Sequence, residues 1–483
     1  MKKMTALLLA VALILSLFGC AAEAEEEENS WAKFEKTQAE REETFVAFGK
    51  DAEEMEDPLV ICMDVEFAQE PVYDADTVLN DFLLSLEQTG GLSNVQILYV
   101  PKEGPERKSK IDRLRIEIMA GSGPDVFIMN CATGGSARTS NSADEPLFRF
   151  PEMAMENGFF LPLDSYMENN TRFTEWDKLT QPVLAAGRYE DDGQVIVPLA
   201  YTLPVLVYQK TDVDVDLTDA CYTWDDMLNN PEIAPFAARF ADCSEPYFSD
   251  GMESPTVSVN GTCLPHILGQ VADFEEEELT FTEEELLEYI NFILDNAEAI
   301  DPAADPPFSY TSMLGDHMLF DYTYNLSGSV EDGRTMIPMY TEYGGVSAMI
   351  ESWAAVNRNT NKPEEAYTVI DMLLSENMQK NNLVYEYFRY DIPMHEDLLH
   401  PDNSTSRTYK NLNEINYEEL CEVRSQITEA QFKNPVVSEI SFLVSHCFFG
   451  VNGITAGPQF EGFTSVEEEV HKSFETMQRM VRE

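Results

Sequence analysis

The sequence predicts an α/β protein with a parallel first sheet, and three observations carry that prediction. The stretch Arg113–Asn130, RLRIEIMAGSGPDVFIMN, reads as a helix, a glycine-rich turn and a buried strand in succession. Around it, apolar runs alternate with helical faces: Leu59–Met63, Thr77–Leu86, Val95–Val100, Ser109–Ala120 and Val126–Met129. Strand, helix, strand, helix, strand within about 70 residues is the pattern of right-handed parallel crossovers. Third, a chain of 483 residues with 44% hydrophobic and 11% aromatic content is globular and large enough for more than one domain.

Each element has a local cause. Ile111, Leu114, Ile118 and Met119 recur at the spacing that places apolar side chains on one side of a helix. Gly121 stops that helix, and Gly123-Pro124 prevents a restart. Val126–Met129 is too short for a helix and suits a strand buried on both faces. Ligands of open α/β sheets sit beyond the carboxyl ends of strands, which makes Asn130 and Cys131 candidate binding positions. Leu59–Met63 runs likewise into Glu66 and Phe67. Thr223 is placed to cap the helix entered at Trp224, and Thr282-Glu283-Glu284-Glu285 is a capping box. The helix after that box shows Leu286, Ile290, Ile293 and Ala297 on one face. The last helix starts at Ser465, with Val466, Val470, Met477 and Val481 inward.

Charge and motifs exclude several function classes. With 31 basic against 88 acidic residues the formal net charge is −57, the wrong sign for a nucleic-acid binder. His395 and His400 frame HExxxH, one residue too long for the zinc-binding HExxH pair. The alternating aspartates at Asp212–Asp216 lack the glycine and glutamate of a calcium loop. No phosphate loop, nucleophile elbow or dinucleotide fingerprint is present, so no catalytic residue, metal site or cofactor is expected. Met1-Lys2-Lys3 followed by apolar Leu7–Phe18 is a signal peptide, too short to span a bilayer. It ends in Leu17-Phe18-Gly19-Cys20, similar to the lipobox at which bacterial lipoproteins are cut and acylated, which implies lipidation of Cys20. The other seven cysteines are odd in number and widely spaced, and read as core residues, with one disulfide among Cys221, Cys243 and Cys263 left open.

Several segments, taken in order, resemble bacterial family 1 extracellular solute-binding proteins, the lipoprotein receptors of ABC importers. Arg113–Val126 resembles that family's RLRxEIMAGxGPDV segment, and Leu161-Pro162-Leu163-Asp164 its PLD element. The turn Asp192-Gly193, a strand Val195–Pro198, Tyr201-Thr202-Leu203-Pro204 and a further strand Val205–Lys210 resemble its hairpin and LxYNK strand. Thr223-Trp224-Asp225-Asp226, Gly344-Gly345 through Asn361-Lys362-Pro363, and Leu374-Ser375-Glu376 follow in the family's order, and Tyr390-Asp391-Ile392-Pro393 carries aspartate where its GLP element has glycine.

The resemblance implies a two-lobed periplasmic-binding-protein-like (type II) α/β fold. Each lobe would be a mainly parallel sheet flanked by helices, and a multi-strand hinge would join them. Expected boundaries are 1–19 signal peptide, 20–57 acidic tether, 58–204 and 318–345 lobe 1, 205–317 and 346–483 lobe 2. Function is expected to be capture of a small carbohydrate or oligosaccharide in the interdomain cleft and delivery to ABC permease subunits. The protein would work as a monomer, outside the cytoplasm, attached to the cell membrane through its lipid anchor alone. Sugar binding needs aromatic faces and planar polar groups. Tyr201, Tyr247, Tyr322, Tyr324 and Trp353 are the aromatic candidates, Glu66, Asn130 and Glu245 the polar ones, Phe67 a wall and Cys131 a neighbour. Glu245-Pro246-Tyr247-Phe248 resembles a sugar-contacting segment of maltose-binding proteins. For each aromatic, core packing is the alternative role. Alternatives for the whole chain are a surface-anchored glycan-active enzyme, or the same fold binding a peptide or polyamine.

Overall fold

A computed structural model describes residues 46–50, 54–65, 75–100, 107–130, 145–189, 192–209, 222–230, 241–243, 257–259, 261–298, 310–314, 334–380, 392–400, 402, 414–453 and 462–482. The chain divides into two units, Met1–Ala47 and Phe48–Glu483, and the second is the folded body described below.

Strand β1 (Leu59–Asp64) lies parallel to both β2 (Val95–Tyr99) and β3 (Val126–Asn130), as the crossover pattern requires. The connecting helices α1 (Ala75–Ser85) and α2 (Arg107–Met119) bury Leu79, Phe82, Ile111, Leu114 and Ile118. Met119 departs from the expected face and is 75% exposed. It is the last residue of α2, at the edge of the apolar stripe, where the chain already turns away. Gly121 ends the helix at φ +77°, a backbone that L side chains rarely adopt, and its N–H reaches back to the Ile118 carbonyl.

Beyond β3 the sheet becomes mixed. Two long strands dominate it: β4 (Ile196–Gln209) and β7 (Val346–Val356), antiparallel to each other. Each divides its partners along its length. The second half of β7 pairs antiparallel with β3, Trp353 opposite Met129, whereas its first half pairs parallel with β9 (Ile427–Phe432). The later half of β4 pairs with β5 (Tyr310–Leu314) and β6 (Arg334–Pro338), and Tyr201 and Ala200 with the short β8 (Ile392–Pro393). Two separate strands were expected between Val195 and Lys210, but β4 is one strand of 14 residues containing Pro198 and Pro204. Proline cannot donate to a ladder. The β4–β7 register accordingly shifts on both sides of Ser352, next to where Pro198 faces Trp353.

Helices cover the sheet for reasons visible in their residues. α7 (Pro363–Leu373) starts with Pro363 at N1, and Ala366, Val369, Ile370 and Leu373 are buried as their spacing predicts. Full burial of each such aliphatic side chain contributes roughly 1.5–3 kcal/mol. The same helix buries Asp371, whose carboxylate accepts three backbone N–H groups, from Arg172 (2.7 Å), Phe173 (3.1 Å) and Thr174 (2.9 Å). The Thr282 box forms as expected, with Thr282 N–H donating to Glu285 at 2.7 Å and Glu285 N–H to Thr282 Oγ1 at 3.2 Å. Thr223 makes the same reciprocal cap with Asp226. In the closing pair α9 (Pro435–Val451) and α10 (Val466–Arg482), Val470, Met477 and Val481 are buried and Val466 is half-buried. Cys62, Cys263 and Cys447 are buried, in keeping with their reading as core residues.

Candidate functional site

A cavity of about 310 Å³ opens where β9 passes into α9, opposite the short helix Pro151–Glu156 and the hairpin Arg188–Gln194. Four separated segments build it. At the first, Phe150 precedes Pro151 at N1, and Glu152 falls in the first helical turn. At the second, Gly193 turns the hairpin at φ +75°. Asp164 holds this hairpin in place, accepting from both Arg188 guanidinium nitrogens (3.2 and 2.9 Å) and from Gln194 N–H (3.2 Å). That contact sets the adjacent Tyr189 ring against the cavity. The third segment runs from Gln270 to Glu275 and contributes Phe274, tilted against Phe150 at 5.4 Å. The fourth is Ala430–Asn434, at the carboxyl end of β9.

Asn434 shows how sequence shapes this end. Its Oδ1 accepts from Val436 N–H (3.0 Å) and Val437 N–H (3.1 Å), capping α9 ahead of Pro435 at N1. Its amide nitrogen is then left to face Glu152 Oε1 at 3.5 Å. Gln431 donates through Nε2 to the Gly269 (2.6 Å) and Pro265 (3.2 Å) carbonyls, so its Oε1 has no partner although the residue is buried. Glu152 Oε2 is likewise covered and unpartnered. Burial pushes the Glu152 carboxyl up to about 7, against the smaller lowering effect of hydrogen bonds from backbone and Asn434.

The walls therefore combine the half-buried Tyr189 and Phe274, backed by the buried Phe432, with the amides of Gln270, Gln431 and Asn434 and the carboxyls of Glu152, Glu156, Asp273 and Glu275. Flat apolar faces beside oriented polar groups suit a small polar organic molecule with apolar faces of its own.

Three of the predicted site residues fall among the described ones. Asn130 ends β3 directly opposite Ser352. Its side-chain oxygen and nitrogen are both buried without partners, as is Ser352 Oγ. Trp353 is 1% exposed and packs in an aromatic cluster with Phe148 (5.7 Å), Phe160 (5.6 Å) and Phe432 (6.4 Å). It meets the cavity only through Phe432. Tyr201 is fully enclosed, with its hydroxyl 3.2 Å from Thr180 Oγ1, and burial pushes its pKa up to about 12. Glu66, Phe67, Cys131, Glu245, Tyr247, Tyr322, Tyr324 and the lipobox Cys20 lie outside the described residues. Sequence reasoning missed Glu152, Tyr189, Phe274, Gln431 and Phe432. The one available signal was Asn434-Pro435, a helix start immediately after an apolar-ended strand.

Among the described residues no group of three His, Cys, Asp or Glu side chains is placed to hold a metal ion. No described helix is long and apolar enough to cross a membrane.

A family model for bacterial extracellular solute-binding proteins matches residues 87–380, well over half of the chain. The chain belongs to that family. Solved structures agree on the architecture. The sugar-binding protein MalE from Xanthomonas citri matches at 11% identity and TM-score 0.50, covering 88% of this solute-binding protein and 97% of that chain. A de novo designed cysteine esterase, ECH19, matches at 13% identity and TM-score 0.51, over 89% and 98% of the two chains. A family 1 solute-binding protein from Alicyclobacillus acidocaldarius matches at 13% identity and TM-score 0.49, over 88% and 98%. At these identities the likeness is one of fold: the solute-binding protein has the two-lobed α/β architecture of periplasmic binding proteins. No curated protein matches the chain by sequence. Membership in an extracellular family places the work of the solute-binding protein outside the cytoplasm, and the family is one of binding proteins.

Proposed function

We propose that this solute-binding protein captures a small saccharide and delivers it to the permease of an ABC importer, without chemistry on the ligand. The observation that carries the reading is the cavity's wall, where the half-buried Tyr189 and Phe274 stand beside amides and carboxyls. Two of the compared structures are described as sugar binders, MalE and a cyclic maltosyl-maltose binding protein from Arthrobacter globiformis. By the boundaries expected from sequence, the helix at Pro151 and the hairpin at Arg188 belong to lobe 1, and Gln270–Glu275 and Ala430–Asn434 to lobe 2. The cavity then lies in the cleft, and the strands β4 and β7, each shared between two sets of partners, are the hinge about which the lobes close. Asn130, with free donor and acceptor at a strand exit, is the further polar contact we assign to the ligand. Trp353 stands behind the wall, packed on Phe432. Cys20 carries the lipid, and residues 20–57 form the tether to the membrane.

The test is thermal denaturation against a panel of mono- and oligosaccharides, with each mixture analysed for cleavage products. Capture predicts a rise in Tm with at least one intact saccharide. A saccharide that is hydrolysed would assign the chain to glycan-active enzymes instead.

A further inference from the structure

The cavity's charge is not matched to a neutral ligand. Four carboxyl side chains line it against one cation, Arg188, and that guanidinium is already committed to Asp164 at 2.9 and 3.2 Å. Asp164 is not among the lining residues. Asp273 spends one oxygen on the backbone N–H groups of Glu275 and Glu276, both at 3.1 Å, which neutralises nothing. Two of the lining residues also carry acceptors in want of donors. Gln431, 6% exposed, turns both donor contacts toward backbone carbonyls and leaves Oε1 bare. Glu152 Oε2 is covered and bare as well. Leaving such acceptors without donors is costly, the more so for a charged one. A hydroxyl brings a single donor and no charge. An ammonium brings three donors and the positive charge that the lining lacks.

We infer that the cavity seats a protonated amine, so that the captured solute is an amine-bearing saccharide, with Glu152 and Gln431 as acceptors for the ammonium. This rests on the saccharide reading above and narrows it. The half-buried Tyr189 and Phe274 on the walls suit the apolar faces of the sugar, and the cation itself. Burial holds the Glu152 carboxyl up near 7, against the smaller lowering effect of backbone and Asn434 hydrogen bonds, and the charged groups on the same walls are Glu156, Asp273, Glu275 and Arg188. An arriving ammonium favours the carboxylate and displaces the proton to solvent, so binding tightens as the pH rises from 5.5 to 7.

The experiment is calorimetric titration of the intact protein with glucosamine oligomers of two to four units and with their fully N-acetylated counterparts, at pH 5.5 and 7. The inference expects the amine form to bind tenfold or more tightly than the acetylated form at pH 7. The preference should shrink at pH 5.5 and be lost in Glu152→Gln. Asp273→Asn, an exposed substitution that leaves the fold untouched, should lower amine affinity a few-fold in a salt-dependent way. Equal or tighter binding of the acetylated oligomers, or an amine preference that survives Glu152→Gln, overturns the inference and leaves saccharide capture standing. Binding of the polyamine spermidine with no saccharide binding of either kind overturns the saccharide reading itself.

Discussion

Arg107 and Asp64 form a buried two-pronged ion pair, with Nη1 2.7 Å from Oδ1 and Nη2 3.0 Å from Oδ2. The pair joins the exit of β1 to the first residue of α2 and reaches further. Asp64 Oδ2 also accepts from Leu147 N–H at 2.8 Å, and Arg107 Nη2 donates to the Glu145 carbonyl at 2.9 Å. It thus fixes the segment that sends Phe148 into the aromatic cluster beside Trp353. Removing one partner strands the other charge in a desolvated place. Arg107→Ala should lower unfolding free energy by about 3–5 kcal/mol in urea denaturation.

Asp371 plays a comparable part, holding the turn at 172–174 through three backbone N–H groups. Charge-assisted bonds of this kind are stronger than neutral ones. Asp371→Ala removes the acceptor of three backbone donors, of which the one on Thr174 is buried, and should cost about 1–3 kcal/mol in the same measurement. Protease should then cut first near Phe173.

His266 makes stability depend on acid. Burial pushes its pKa down to about 4, against a smaller upward effect of the Ser347 carbonyl, which its Nδ1–H meets at 2.6 Å. The unfolded chain binds the proton at an ordinary histidine pKa of about 6.5. The depressed value means that stability is fully present above 6.5 and is lost as pH falls from 6.5 to about 4. Glu152, held up near 7, acts in the opposite sense across the same window, so the His266 contribution is read as the difference between wild type and His266→Gln, which should fall by about 2–3 kcal/mol as the pH drops.

Trp353 tests core against cleft. A fully enclosed indole packed on Phe148, Phe160 and Phe432 predicts a cavity-forming loss of about 3–5 kcal/mol for Trp353→Ala, read as a lowered Tm. Trp353→Phe should recover most of it. A variant with wild-type Tm would mean that the indole stands free in the cleft.

How much was legible in the sequence follows from where the information sits. The β1–α1–β2–α2–β3 run was readable because each element announces itself locally, by a 3.6-residue face, a glycine stop or a short apolar run. The Thr223 and Thr282 caps were readable for the same reason, since a cap needs only four residues. β4 was not, because Pro198 and Pro204 read as breaks, and only the shifted register beside β7 makes them tolerable. The site was the least legible. β7 is buried along its whole length, so its pattern shows no alternation to separate wall residues from core residues, and Trp353 was singled out for its chemistry alone. Glu152, Tyr189, Phe274 and Gln431 come from four distant segments, and no period links them.

If this cavity holds the saccharide, affinity reports it directly. Tyr189 and Phe274 are half-buried rings on its wall, so replacing them removes a sugar-facing surface with little loss of core. Calorimetric titration of the saccharide that most raises Tm should show affinity falling tenfold or more in Tyr189→Ala and in Phe274→Ala, each still folded. Unchanged affinity in both variants would place the ligand elsewhere and contradict the account.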